Sequence, residues 1–243
     1  MPKIVFDPLV FSTSERLYGL NALIEMVYRA TPEVERQERD ELKHLAENEN
    51  WEYSDYSVEN QLLDVKFTVL LPKLAAYSII VLLSSIVETQ LLAYARRVRI
   101  DTHSPFEPND IKGSVLERTS LYVKKTSGVE LTKNMRWKLL RDLQDIRDTI
   151  VHRSGKPAED KRPQFQKMCK EYPGVSLDEN RITTGGDEIG ITIHSCRYLA
   201  SEVEQFFQGL FNDAGYHLRS GIWPNIQSGF SKSARQNDTA EPE

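Results

Sequence analysis

The feature that most constrains this chain is a continuous apolar run of fourteen residues, from Leu74 to Val87. A helix needs about 20 apolar residues to cross a bilayer, and charged residues stand directly before and after this run, at Lys73 and Glu88. The run therefore predicts a buried helix that is packed on most of its sides, and no membrane span is expected.

Composition is that of an ordinary globular protein. The chain has 243 residues, of which 40% are hydrophobic and 28% charged, and its net charge is −5. This size suits one sizeable domain, alone or with an appended arm. Two cysteines, Cys169 and Cys196, are too few for a disulfide framework, and no Cys/His cluster indicates structural zinc. Since the first residues lack a secretion signal, we expect a cytoplasmic protein.

Helical periodicity covers most of the chain. It predicts helices over residues 13–50, 58–98 with a kink or break at Pro72, 111–125 capped by Asn109 or Asp110, 131–153 and 195–214. Two short β-like stretches, 175–177 and 189–193, flank a turn at 184–187 and are expected to pair as a hairpin. The sequence predicts an all-α fold, with a small β-hairpin-like insert before the last helix.

The expected domain organisation has three parts. Residues 1–60 form a long N-terminal helical arm, residues 61–218 a helical domain, and residues 219–243 a largely disordered tail with few apolar groups. Positions 31–60 hold ten acidic residues against three basic ones. A solvated helix face is the favoured interpretation of that acidic stretch, and a surface for docking a partner is the alternative.

Charge is divided unevenly along the chain. Residues 111–170 contain fifteen Lys and Arg against seven Asp and Glu, a net of +8, whereas the remainder has a net of −13. The overall balance excludes a generally basic nucleic-acid binder, but a polyanion would be attracted to this central third. The division favours a phosphate-bearing ligand over a chance fluctuation in surface charge.

The helix predicted over 131–153 has two distinct faces. At about 100° per residue, one narrow apolar stripe faces the core, composed of Leu139, Leu143, Ile146 and Ile150. Asp148 and His152 lie on the opposite side, with Arg141 and Asp145 near them and Arg147 on the flank. His152 therefore points away from the core, which argues against a buried structural histidine.

The spacing of these polar residues suits proton transfer at a phosphate. Asp148 and His152 are four residues apart, so the carboxylate can orient the imidazole, and the end of the helix also favours the charged imidazolium. Arg147 and Arg153 can reach a phosphate and stabilise charge that develops on it. These groups fit RNA cleavage by internal attack of a ribose 2′-hydroxyl. On spacing alone, an exposed helix end with ordinary ion pairs explains the same residues.

The run Arg147-Asp148-Thr149-Ile150-Val151-His152 resembles the R-x4-6-H motif of HEPN domains, in the frequent form R-[N/D/H]-x-x-x-H. Its surroundings are similar too: an apolar helix with an internal acid, Glu88, then a connecting helix, then the motif near the end of a long helix. The resemblance covers roughly residues 60–215. It implies a HEPN-like helical bundle.

The resemblance also implies a function and a site. HEPN domains are often metal-independent endoribonucleases that need no cofactor, with the motif arginine and histidine, here Arg147 and His152, in the active site and Asp148 positioning them. Two copies usually meet across a homodimer to form one composite cleft. Toxin–antitoxin and phage-defence settings are common, so an inhibitory antitoxin or defence partner is a further expectation.

Several neighbouring residues are candidates for supporting roles. Arg153, Lys156 and Lys161 are expected to hold the RNA backbone, and Glu88 either pairs with Arg147 or lies exposed on a helix edge. Two other functions remain open. A non-catalytic HEPN-like module would bind nucleotide or RNA in the same cleft, and a scaffold protein would use the acidic arm and the dimer.

Overall fold

The computed structural model describes residues 7–178 and 187–216. Within these ranges the protein is mostly helical, with one two-stranded sheet, which confirms the all-α prediction. The first helix, α1, spans Pro8–Glu49. Asp7 caps it by accepting the backbone N–H groups of Leu9 and Val10, and Asn50 ends it in the left-handed conformation.

The second long helix is continuous from Tyr53 to Thr102. It comprises α2 (Tyr53–Val65), a π-helical turn (Lys66–Leu70) and α3 (Leu71–Thr102). The kink or break predicted at Pro72 is therefore a widened turn immediately before the proline. Because proline lacks an N–H and its ring crowds the preceding turn, a locally wider helix accommodates it without interrupting the helix.

The second part of α1 and the helix α2 run antiparallel to each other. This pair, residues 25–65, is called here the stalk. The buried residues of α1 all precede it, ending at Ile24, and α2 has none. Ion pairs join the two helices instead, between Arg39 and Asp64 at 2.7 Å and between Glu38 and Lys66 at 2.5 Å. The first part of α1 thus lies in the protein body, and the domain boundary predicted at residue 60 falls inside α2.

Among the described residues, four further α-helices complete the body. They are α4 (Val115–Ser127), α5 (Trp137–Arg153), α6 (Arg162–Glu171) and α7 (Ile193–Asp213). The predicted cap of α4 is wrong, because Asn109 and Asp110 lie in a 3-10 turn and Ser114 caps the helix through a capping box with Glu117. The prediction also began α5 too early and missed α6, a short, polar helix.

The two strands are β1 (Val175–Asp178) and β2 (Glu188–Ile191). They pair antiparallel, with Val175 opposite Ile191, which confirms the predicted hairpin-like insert. Most of the predicted turn at 184–187 and all of the predicted tail at 219–243 lie outside the described residues.

Helix α3 contacts α1, α4, α5 and α7 and so lies in the core, with one stripe left exposed. Ile79, Ile80, Leu83 and Val87 are buried, whereas Leu74, Ser78, Leu82 and Ser85 are exposed. In its most apolar 18-residue window, whose mean hydropathy is 2.0, a third of the residues are buried. Within the run 74–87 itself, seven of the fourteen residues are buried and three are partly buried, and the exposed ones follow one stripe, so the prediction of packing on most sides is confirmed. By length and composition this helix passes the criterion for a membrane span, a criterion that core helices of soluble proteins also meet.

Candidate functional site

Helix α5 presents the polar motif on the side that the core leaves open. The predicted core stripe is confirmed, since Leu139, Leu143 and Ile146 are buried and Ile150 is partly buried against them. Away from this stripe Arg141, Val151 and His152 are exposed, and Arg153 is exposed at the end of the helix. His152 therefore reaches solvent from the last turn of the helix, as predicted.

The backbone that follows His152 is fixed to the body. Ser154 and Gly155 both have positive φ angles, of 53° and 84°, and Gly155 donates its N–H to the carbonyl of Thr149. Its own carbonyl accepts the N–H of Ile189 at 2.9 Å, and Tyr77 donates its hydroxyl to the carbonyl of Ile189 at 2.6 Å. Strand β2 and helix α3 thus hold the end of the motif helix in place.

Asp148 contacts the motif arginine and not the histidine. Arg147 donates from Nη1 to Asp148 Oδ1 at 2.7 Å, and within the described ranges no ion pair joins Asp148 to His152. The i, i+4 geometry that predicted an Asp148–His152 contact is therefore not realised, because the adjacent guanidinium folds across the helix onto the carboxylate. This contact brings the guanidinium, otherwise on the flank, toward the open face of α5.

The other predicted residues divide into free and paired groups. Glu88 is partly buried on α3, and the ion pair with Arg147, one of the two alternatives given for it, is not formed among the described side chains. Lys161 pairs with Asp145 at 2.5 Å and so is already neutralised. Arg153 and Lys156 are exposed, and no ion pair involves either of them in the described part of the chain.

A buried carboxylate that sequence reasoning missed fixes α6 against α5. Asp142 accepts from Lys138 Nζ at 2.7 Å and from the hydroxyl of Tyr172 at 2.5 Å. Burial and the Asp142 carboxylate both raise the pKa of Tyr172, which therefore stays a hydrogen-bond donor. Asp142 lies about 60° from the apolar stripe on a helical projection. This position beside the apolar stripe was the sequence feature that could have predicted the burial of Asp142.

A groove of about 260 Å³ runs between α5 and α6, beside this carboxylate. Its walls are polar and carry both positive and negative side chains. The residues lining it are Lys138, Arg141, Asp142, Asp145, Gln164, Lys167 and Met168. Asp145 is covered by Lys161 and Gln164. Arg141 makes no ion pair among the described residues, so the groove has a cation to offer.

No metal-binding group was found, since nowhere in residues 7–178 and 187–216 do three or more His, Cys, Asp or Glu side chains come together in a suitable cluster. Comparison with known proteins gave no family model, no curated protein and no solved structure that matches this chain.

The arrangement offers one imidazole, one guanidinium that is hydrogen-bonded to a carboxylate, and nearby unpaired cations. An exposed imidazole can move a proton near neutral pH. A guanidinium donates two N–H groups to the oxygens of a phosphate and so stabilises the negative charge on them. Acid–base chemistry at a phosphodiester is within reach of these groups.

Proposed function

We propose that the protein is a HEPN-like, metal-independent endoribonuclease. The observation that carries the proposal is the solvent-exposed His152 at the end of α5, with Arg147 drawn by Asp148 toward the same open face. The resemblance of residues 147–152 to the HEPN motif supplies the reaction class. A toxin or phage-defence role under the control of an inhibitory partner remains part of the proposal by analogy alone.

The proposed reaction is a transesterification. The ribose 2′-oxygen forms a bond to phosphorus as its proton leaves to a base, and the bond from phosphorus to the 5′-oxygen breaks as that oxygen gains a proton. The products are a 2′,3′-cyclic phosphate and a 5′-hydroxyl. His152 moves a proton in this reaction, and Arg147 stabilises the charge on the pentacoordinate phosphate.

Neighbouring groups support the same assignment. Arg153 and Lys156 follow the motif and are free to contact the RNA backbone, whereas the ion pair with Asp145 weakens the case for Lys161. Asp148 becomes a positioning residue for Arg147. The open face of α5 also leaves room for a second copy, so that two motifs form one composite cleft.

The test is a digest of total RNA and tRNA in EDTA, with the wild type beside His152→Ala and Arg147→Ala. Wild-type cleavage that leaves cyclic-phosphate ends is expected, with each variant at least about 100-fold slower, the size typical of losing an acid–base group. His44→Ala is the matched control, because His44 is an exposed histidine on the stalk. Its activity should equal that of the wild type.

Three other outcomes would decide against the enzyme. Equal cleavage by wild type and His152→Ala would assign the activity to a contaminant or to another site. Absence of cleavage, with RNA binding that His152→Ala weakens, would identify a non-catalytic binding module. If neither cleavage nor RNA binding occurs, a scaffold function replaces the proposal.

A further inference from the structure

Helix α2 turns its apolar side away from the helix on which it packs. Val58, Leu62 and Val65 keep 57%, 57% and 47% of their surfaces exposed, and Val69 in the π-helical turn keeps 52%. These four residues are called here the apolar row. Their spacing of four, three and four residues is that of the positions that meet a partner helix in a coiled coil.

The opposite side of α2 makes the contacts with α1, and it is polar. Asn60 and Asp64 both accept hydrogen bonds from Arg39, at 2.9 and 2.7 Å. At about 100° per residue, positions 60 and 64 lie about 200° from positions 58 and 62. An ordinary surface helix buries its apolar stripe and exposes its charges. In α2 this arrangement is reversed, so the apolar row faces outward.

Three carboxylates stand beside the N-terminal end of the apolar row. Glu52, Asp55 and Glu59 are exposed, and none of them makes an ion pair within residues 7–178 and 187–216. The whole stalk has twelve acidic residues and four basic ones, a net of −8. All four bases are already paired with acids of the stalk, and they are Arg29, Arg36, Arg39 and Lys43. The stalk therefore carries an excess of negative charge that its own bases do not neutralise.

We propose that the apolar row binds a basic amphipathic helix of another protein. Apolar side chains of that helix pack on the three valines and the leucine, and its Lys or Arg side chains pair with Glu52, Asp55 and Glu59. The row extends about 16 Å along α2, so it accommodates about three turns of a helix.

Charge argues against the other occupants of an apolar face. The carboxylates repel anionic lipid and RNA. A second copy of the chain would bring the same negative stalk. Its two bases between residues 53 and 82 are already used, because Lys66 is paired with Glu38 and Lys73 with Glu188. The proposal requires no ribonuclease activity, so its test is separate from the RNA digest.

The experiment measures the binding of a designed peptide to the full chain by fluorescence anisotropy. The probe has about three heptads, with Leu at the a and d positions and Lys at e and g, and a second peptide carries Glu in place of Lys. The Lys peptide should bind with a micromolar dissociation constant. The Glu peptide should bind at least about 100-fold more weakly, because like charges then face one another.

One variant tests the apolar contact. Leu62→Gln should raise the dissociation constant of the Lys peptide at least about 10-fold, because a large apolar contact is lost. Leu121→Gln is the matched control, since Leu121 is a comparably exposed leucine on α4, at 41%. It should bind as the wild type does, and circular dichroism checks that both variants are folded.

A second variant tests the charges. Asp55→Asn combined with Glu59→Gln should raise the dissociation constant about 5-fold at low salt, and the difference should disappear at about 0.5 M salt. Asp40→Asn combined with Glu41→Gln is the control for general attraction, because both are exposed acids of α1 that make no ion pair in the described part of the chain. It should change the binding much less.

Absence of binding by the Lys peptide overturns the proposal. Binding that Leu62→Gln leaves unchanged, or that the Asp40 and Glu41 variant weakens as much as the Asp55 and Glu59 variant, also overturns it. Hydrogen exchange locates the bound peptide. It should slow exchange most in residues 53–69, whereas slowing confined to residues 147–161 would place the peptide at the motif and contradict the proposal.

Three further results would assign the apolar row to another occupant and overturn the proposal as well. Tighter binding of the Lys peptide after deletion of residues 217–243 would identify that segment as the cover. A dimer in sedimentation equilibrium that Leu62→Gln dissociates would identify a second copy. Flotation with phosphatidylcholine–phosphatidylserine vesicles that Leu62→Gln abolishes would identify a bilayer.

Discussion

Gly155 connects α5, the helix that contains the 147–152 motif, to the rest of the protein. Its φ angle of 84° lies in the left-handed region, and a Cβ there would overlap the hydroxyl of Tyr77. That hydroxyl donates to the carbonyl of Ile189, and the N–H of Ile189 donates to the carbonyl of Gly155. A side chain at position 155 would therefore strain the backbone and also disturb the bond that holds β2 against α3.

Gly155→Ala should lower the free energy of unfolding by about 2–4 kcal/mol, since backbone strain and displacement of a buried side chain add. Gly128→Ala is the matched control, because its φ is 75° but a Cβ added there would meet no atom within 4 Å. It should lose only about 1 kcal/mol. Urea denaturation of both variants measures the difference. Equal losses would mean that the Tyr77 contact contributes nothing.

The stalk and the body are stabilised in different ways. Helix α7 buries Leu199, Val203, Phe206 and Phe207, and its aromatic rings pack against one another. Along the stalk, by contrast, ion pairs such as those of Arg39 with Glu35 and Asp64 replace buried apolar contacts. Ion pairs at an exposed surface contribute little and weaken with salt. The stalk therefore opens at lower free energy than the body.

Amide hydrogen exchange should show this difference by element. Residues 28–62 are expected to exchange faster than residues 76–98 and 196–211, and the gap should widen between about 0.05 and 0.5 M salt as the ion pairs are screened. Mass spectrometry of peptic fragments resolves the three segments. Uniform protection across stalk and body would contradict the expected division.

Charge is a property of the whole molecule and bears on the proposed RNA substrate. The net of +8 over residues 111–170 coexists with −13 elsewhere, so a polyanion would be attracted to the central third. Within that region many cations are already paired, including Lys138 with Asp142 and Lys161 with Asp145. Seven of the fifteen Lys and Arg residues there make no ion pair with described residues, and of these only Arg153 and Lys156 directly follow the motif, which predicts a modest salt dependence.

Three cations at the motif, Arg147, Arg153 and Lys156, give an expected slope of about −2 for log affinity against log salt with single-stranded RNA. His152→Ala is the form to measure, by fluorescence anisotropy, because it should bind without cleaving. Adding Arg153→Ala and Lys156→Ala should reduce the slope by about 1. Lys43→Ala on the stalk should leave it unchanged. A slope that none of these substitutions alters would place the RNA elsewhere.

The sequence by itself determined the helices whose apolar residues recur at helical spacing. The stripe of Leu139, Leu143 and Ile146 and the exposure of His152 follow from a period of 3.6 residues. The predicted end of this helix at 153 and the predicted pairing of the β-like stretches near 175 and 190 also agree with the structure. These features are local, so neighbouring residues suffice to specify them.

The tertiary structure alone decided which groups meet. Helix α6 carries too short and too polar a pattern to be recognised. It is held in place by the burial of Phe165 and Met168 and by Tyr172, which donates to the buried carboxylate of Asp142. Helical spacing predicted that Asp148 contacts His152, but its carboxylate accepts a hydrogen bond from the guanidinium of Arg147 instead. The apolar run of α3 indicated burial on most sides, which is what the fold shows, but hydrophobicity along a sequence does not specify where the helix stays uncovered. In this fold the neighbours leave one stripe exposed, at Leu74, Ser78, Leu82 and Ser85.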